Sequence, residues 1–259
     1  MIDLKPRGEC VLHLRAKPCD VKKLMLAFEN RMQPIPQELA QQAEQVWKVK
    51  CAEHPHLFNG TIANLLAYEE DNDAVRLTAN YTDYKTYTFL NAQPFYTLFD
   101  HGIAILGTSA ILITKDQKII IAKRGKDLIG EGLLHTLPGG TCSVEDGMVS
   151  VERTVLKELE EELGIIENEV QALTFHGIGY DGMHAKGAEL LFSIRTGLTA
   201  EEVIARQAHA HDRDEASELQ AIDLAALQEF IAAYGKQFIQ GNLAAIKAYL
   251  AHTTKGEIK

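Results

Sequence analysis

The chain has 259 residues, 46% of them hydrophobic, and a formal net charge of −10 at pH 7. The length suits one large domain or two small ones, and the hydrophobic share suits a globular protein. The charge argues against a general nucleic-acid or membrane-surface binder, because polyanionic surfaces repel it, while a small anion escorted by a metal stays admissible.

Cys10, Cys19, Cys51 and Cys142 are scattered with no Cys-x-x-Cys pair, which reads as reduced thiols rather than a zinc site or disulfide frame. No apolar run is long enough to span a bilayer, and the N-terminus lacks the apolar core of a signal peptide. A cytoplasmic location is the expectation.

Residues 1–99 read as a distinct α+β unit. Cys10 to Leu14 alternates like a strand. Residues 20–30 and 36–53 have helical patterning, with Pro34 and Pro36 breaking the chain between them. Thr61 to Glu69 and Ala74 to Tyr81 read as paired strands around an Asp71-Asn72-Asp73 turn. Tyr81, Tyr84, Tyr87, Phe89, Phe95, Tyr96 and Phe99 enrich the region in aromatics, which fill a small core or, for one of them, stack on a base. His54 and His56 have no metal-ligand partners at suitable spacing and read as loop residues.

From residue 100 the pattern changes. Ile103 to Thr114 and Lys118 to Arg124 are β-branched apolar runs, expected as buried strands. Leu133 to Leu137 is a short strand feeding the turn Pro138-Gly139-Gly140, and Asp146 or Ser150 could cap the next helix. In that helix Val151, Val155, Leu159 and Leu163 recur every fourth residue, with Leu156 beside them. Glu158, Glu161 and Glu162 then fall within roughly 100° of the wheel, so their carboxylates can converge. A solvated acidic face is the plainer reading. Against it, Glu162 sits at the margin of the apolar arc, and a glycine turn that permits close backbone approach precedes the helix. Oxygen-only clusters suit magnesium or manganese.

Val170 to Gly179 and Ala188 to Arg195 read as strands flanking a Gly-rich loop, with Glu189 entering the second strand. Thr199 to Arg206 is a short helix, and His209, His211, Asp212, Asp214 and Glu215 form a polar loop. Leu219 to Ile222 is a last strand before two amphipathic helices, Leu224 to Tyr234 and Leu243 to Leu250.

The segment Lys157-Glu158-Leu159-Glu160-Glu161-Glu162-Leu163-Gly164-Ile165 resembles the second half of the Nudix box, with Lys157 in place of the usual arginine, and Gly140 resembles the glycine that opens it. Counting forward from Gly140 leads to Asp146 for the first acidic position, whereas counting back from Lys157 leads to Val149, so the loop is longer than the pattern. The resemblance implies an α+β fold, an αβα sandwich around a mixed sheet over residues 100–259, with residues 1–99 as an N-terminal extension.

It also implies a hydrolase whose Glu158, Glu161 and Glu162 hold Mg2+ (or Mn2+) and serve catalysis. Glu189 or Glu215 stands as an alternative proton acceptor. Arg124, Gly139, Gly140 and Lys157 are expected to contact or orient the substrate. Val46-Trp47, Leu57-Phe58, Thr82-Asp83-Tyr84, His176-Gly177-Ile178-Gly179 and Ala188 to Phe192 are similar to stretches of animal Nudix proteins that cleave UDP-glucose and UDP-galactose. The implied ligand is a small nucleoside diphosphate derivative, with no nucleic-acid or membrane partner and a homodimer left open. ADP-ribose or a dinucleotide as substrate, or a binding domain without turnover, are the alternatives.

Overall fold

A computed structural model describes residues 11–71, 74–93, 97–126, 128, 130–181 and 187–253. In chain order the strands are β1 (Val11–Asp20), β2 (Leu24–Met32), β3 (Thr61–Glu70), β4 (Val75–Asp83), β5 (Ile105–Ile113), β6 (Lys118–Arg124), β7 (Leu134–Thr136), β8 (Gly139–Thr141), β9 (Val170–Asp181), β10 (Gly187–Thr196) and β11 (Ala216–Asp223). The helices are α1 (Gln37–Glu53), α2 (Tyr84–Asn91), α3 (Thr97–Asp100), α4 (Val151–Leu163), α5 (Ala200–Gln207), α6 (Leu227–Tyr234) and α7 (Gln240–Thr253).

One mixed sheet runs β1-β9-β10-β5-β3-β4-β2, and β6, β7, β8 and β11 branch from the β5 side. β5 lies parallel to β10, and all nine of its residues are buried, as a strand covered on both faces requires. Alternation along β5 divides the layers. Leu106, Ala110 and Leu112 pack with Val155 and Leu159 of α4 on one face. Ile111 and Ile113 pack with Leu243 and Ile246 of α7 on the other. This is the expected α+β arrangement of helices around a mixed sheet. The N-terminal strands continue the same sheet, β1 beside β9 and β3 meeting β5 at Asn64 and Ile105.

The helix expected over residues 20–30 is absent. A 3₁₀ turn at Val21–Lys23 leads into β2, which pairs parallel to β4. Val21, Leu24, Met25 and Phe28 match helical spacing, but Leu24, Leu26 and Phe28 also match a period of two, and pairing along β4 decides between them. The stretch after β4, expected only as aromatic-rich, forms α2, capped by Asp83 accepting from Thr86 N–H. Tyr87 and Phe89 are buried beside Ile62 and Leu98, so these rings fill core. Phe95, Tyr96, most of the Asp71-Asn72-Asp73 turn and residues 182–186 of the Gly-rich loop lie outside the described residues. No helix among the described residues is long and apolar enough to cross a membrane.

Candidate active site

The site begins where β8 meets α4. Ser150 caps α4 by accepting from Arg153 N–H, and Gly164, at φ 65°, closes it in the left-handed conformation. Val151, Val155, Leu159 and Leu163 face the sheet, which fixes the rotation of the helix and brings Glu158 and Glu162 to β8. A Cβ on Gly140 would fall inside the Glu158 carboxyl group, so glycine here leaves room for that carboxyl group against the strand. The main-chain N–H of Gly139 donates to Glu162 at 3.2 Å.

Glu162 is 2% exposed. Burial pushes its carboxyl well above the ordinary range, the negative charges of Glu158 and Glu215 add to the effect, and Arg124 and the Gly139 amide oppose it. Glu158 is pushed up to about 7, first by burial, then by the charges of Glu161 and Glu215, with Lys157 acting against them. Two carboxylates this short of positive charge fit a hard divalent cation. Among the described residues no group of three or more acidic, histidine or cysteine side chains is placed so that it could hold a metal ion. Magnesium is compatible with that, because it takes one or two carboxylates and fills its shell with water and substrate phosphate.

Arg124 closes the far side. It ends β6 opposite Ala216 of β11, and its Nη1 donates to Glu215 at 2.9 Å. Glu215 arrives there because Gly125 packs directly on the main chain of Asp214 and donates its N–H to the Glu215 carbonyl at 2.8 Å. Asp212 N–H donates to the Glu161 carbonyl at 2.8 Å, which ties this polar loop to the end of α4. The loop reading of residues 209–215 therefore holds, and Glu215 is drawn into the carboxylate cluster.

Lys157 stands 3.5 Å from Glu145 and 3.9 Å from Glu161. Glu145 also meets Arg153 at 3.3 Å. Glu145 and Met148 exchange main-chain hydrogen bonds around Asp146 at φ 51° and Gly147 at φ 73°, a tight hairpin with both central residues left-handed. The extra loop length is thus folded away in an Asp-Gly turn. Counting residues led to Asp146 or Val149, whereas the acidic group that meets Lys157 is Glu145. The Asp-Gly dipeptide was the available signal.

Burial raises the Cys142 thiol, and Glu189 and Glu158 both lie near enough to add to the effect. Glu189 shares with Leu191 the face of β10 turned to α7, where its carboxylate accepts from Ser109 at 3.0 Å and lies against Gly107 and Gly241. Asn242 of α7 reaches the same Ser109 and also donates to Thr136 Oγ1 at 3.2 Å, bracing the strand before the glycine turn. His135 was not singled out by sequence. It is buried on β7, held neutral with its pKa pushed down to about 3 by burial and the Arg124 charge. Of the thiols, Cys19, Cys51 and Cys142 are free, and Cys142 is buried.

The chain is similar to several known proteins. The NUDIX domain family matches residues 105–240, just over half of the chain. Nudix hydrolase 9 of Arabidopsis thaliana is 23% identical over a 268-residue alignment that covers 86% of each protein. Among solved structures, a mutT/nudix family protein from Listeria innocua is 18% identical, with a TM-score of 0.42, covering 60% of this chain and 96% of the other. The NUDIX domain of Shewanella oneidensis NrtR, complexed with ADP ribose, is 18% identical, with a TM-score of 0.38, covering 58% and 88%. The family match takes in the glycine turn, all of α4 and both Arg124 and Glu215, so the chain belongs to the Nudix family and is a Nudix hydrolase acting on pyrophosphate bonds.

Proposed function

We propose that the chain hydrolyses the diphosphate bond of a nucleoside diphosphate joined to a second moiety, with a UDP-sugar such as UDP-glucose as substrate and UMP and sugar 1-phosphate as products. The observation that carries the diphosphatase chemistry is the buried carboxylate of Glu162, held by the Gly139 amide beside Glu158. The uridine choice rests on the similarity of Val46-Trp47, Thr82-Asp83-Tyr84 and Ala188 to Phe192 to the UDP-sugar-cleaving members of the family. Residues 1–99 act as an N-terminal extension and residues 100–259 as the hydrolase domain, in a cytoplasmic enzyme.

Glu158, Glu161 and Glu162 are the residues that would hold Mg2+, with Mn2+ as a substitute. The chemistry supplied by a bound divalent cation is neutralisation of the diphosphate charge and acidification of the attacking water. Water attacks one phosphorus, the bond to the bridging oxygen breaks, and that oxygen leaves on the other phosphate. A carboxylate, either one of Glu158, Glu161 and Glu162 or else Glu189 or Glu215, takes the proton. Arg124 steadies the leaving phosphate. Lys157 holds Glu145 and Glu161 in place, and Gly139 and Gly140 admit the phosphates close to the main chain. Glu189, which accepts from Ser109 and lies against Gly107, is the further carboxylate candidate.

The test is hydrolysis of a panel of UDP-glucose, UDP-galactose, ADP-ribose and a dinucleoside diphosphate with excess magnesium, beside Glu162→Gln. The reading expects UMP and glucose 1-phosphate from the wild type alone and the highest kcat/KM on a UDP-sugar. A higher kcat/KM on ADP-ribose would overturn the uridine choice. Equal turnover by Glu162→Gln would overturn the site.

A further inference from the structure

Cross-strand pairing sets His135 and Arg124 side by side. His135 on β7 stands opposite Ala122 on β6, and Arg124 lies two residues further along β6, hence on the same face. Diagonal neighbours of this kind are within reach of long side chains. The face is the one covered by α4, since Ala122 packs with Val155 and Leu159.

His135 is 3% exposed, and its Nε2 has no hydrogen-bond partner among the described residues. Arg124 Nε is buried and likewise unpartnered among the described residues, although Nη1 of the same guanidinium engages Glu215. Buried polar atoms are nearly always paired, so two orphans on adjacent strands call for a common cause. Their chemistry is complementary. The His135 ring donates to the main chain of Lys123, and because Nε2 is unpartnered the donor is Nδ1–H. Nε2 of the neutral ring then carries a lone pair, and Arg124 Nε carries a hydrogen.

We propose that His135 is a positioning residue for the diphosphate reaction, its Nε2 accepting from one buried water that itself accepts from Arg124 Nε–H. The anchor keeps the guanidinium in place when an incoming diphosphate and cation compete for Glu215, the other partner of Arg124. Without it the long arginine side chain has a single ion pair to lose, and its orientation toward phosphate goes with it. The inference rests on the proposed contact between Arg124 and phosphate.

The test is a double-mutant cycle of His135→Leu (or His135→Met should the leucine variant not fold) and Arg124→Gln, with His135→Gln as the variant that keeps an acceptor. Two readouts are taken: KM and kcat on the best substrate of the panel, and the rise in melting temperature caused by inorganic pyrophosphate with magnesium. Removing the imidazole should raise KM about tenfold with kcat changed much less, weaken the pyrophosphate response, and be largely rescued by His135→Gln. In the Arg124→Gln background the same substitution should add nothing. An unchanged KM in the His135 variants, or an equal increase in both backgrounds, overturns the positioning role while leaving the diphosphatase reading intact. A wild type that neither hydrolyses any panel member nor responds to pyrophosphate overturns both.

Discussion

The amide of Gly139 donates to the carboxylate of Glu162 across 3.2 Å, joining the glycine turn to α4. One main-chain donor cannot offset the burial of a charged carboxylate with two like charges nearby. The metal-free protein therefore carries a cost at this residue that the bound cation relieves. Glu162→Gln should reduce turnover about 100-fold or more, the scale of losing a group that stabilises transition-state charge. The same variant should melt at a higher temperature than the wild type in chelator. A lower melting temperature would show that Glu162 is not strained by its surroundings.

The same carboxylates set a pH dependence. Glu158 and Glu162 bind their protons more tightly when folded, because burial and the charges of neighbouring carboxylates raise both above the ordinary 4.5. Their contribution to stability is full below that value and is lost as pH rises, through about 7 for Glu158. Without metal, unfolding free energy should fall across this window more steeply in the wild type than in Glu158→Gln. Excess magnesium should flatten the difference. Parallel profiles in chelator would contradict the raised carboxylates.

His176 works in the opposite direction. It is buried between Ser193 Oγ at 2.8 Å and His252 Nδ1 at 3.0 Å, and burial with the neighbouring imidazole pushes its pKa down to about 3. The unfolded chain takes up the proton first, so this stability is present above the ordinary 6.5 and is lost as pH falls toward 3. His176→Gln should be less stable than wild type at pH 7, and the gap should close on acidification. Denaturant melts from pH 7 to pH 4 measure it, and a gap that widens would show that His176 is buried in its charged form.

Gly140→Ala places a methyl group where the Glu158 carboxyl group lies, while the atoms nearest that methyl all belong to the Glu158 side chain. The substitution should leave the melting temperature within a few degrees and lower kcat about 10- to 100-fold by displacing Glu158. Normal turnover would mean that the position of this carboxylate does not matter.

Glu145, rather than Asp146, should support the helix. Glu145→Gln removes two partly exposed ion pairs, to Arg153 and Lys157, worth at most about 1 kcal/mol of stability. It should nonetheless lower kcat several-fold, because among the described residues Lys157 then has only Glu161 to hold. Asp146→Asn, at the hairpin tip, should change kcat little. The reverse order of effects would restore Asp146 to the box.

The parts of the site legible in the sequence are those encoded within one turn of helix. The spacing of Glu158, Glu161 and Glu162 against Val151, Val155, Leu159 and Leu163 determines one acidic and one apolar face wherever the helix goes, because helical geometry is local. The glycines before it and the buried run of β5 are equally local signals. Residues 20–30 show the limit. Their pattern satisfies two periodicities, and only the presence of β4 alongside selects the strand.

What only the tertiary structure decided are relations between residues far apart in the chain. Arg124 meets Glu215 because β6 pairs with β11, and His135 lies beside Arg124 because β7 pairs with β6. Glu189 lies against Gly107 because β10 pairs with β5 in the register that sets the two opposite each other. Side chains alternate across a strand, so a single step of register decides which layer a residue serves. Sequence supplied the chemistry of α4, and the pairing of distant strands chose its partners.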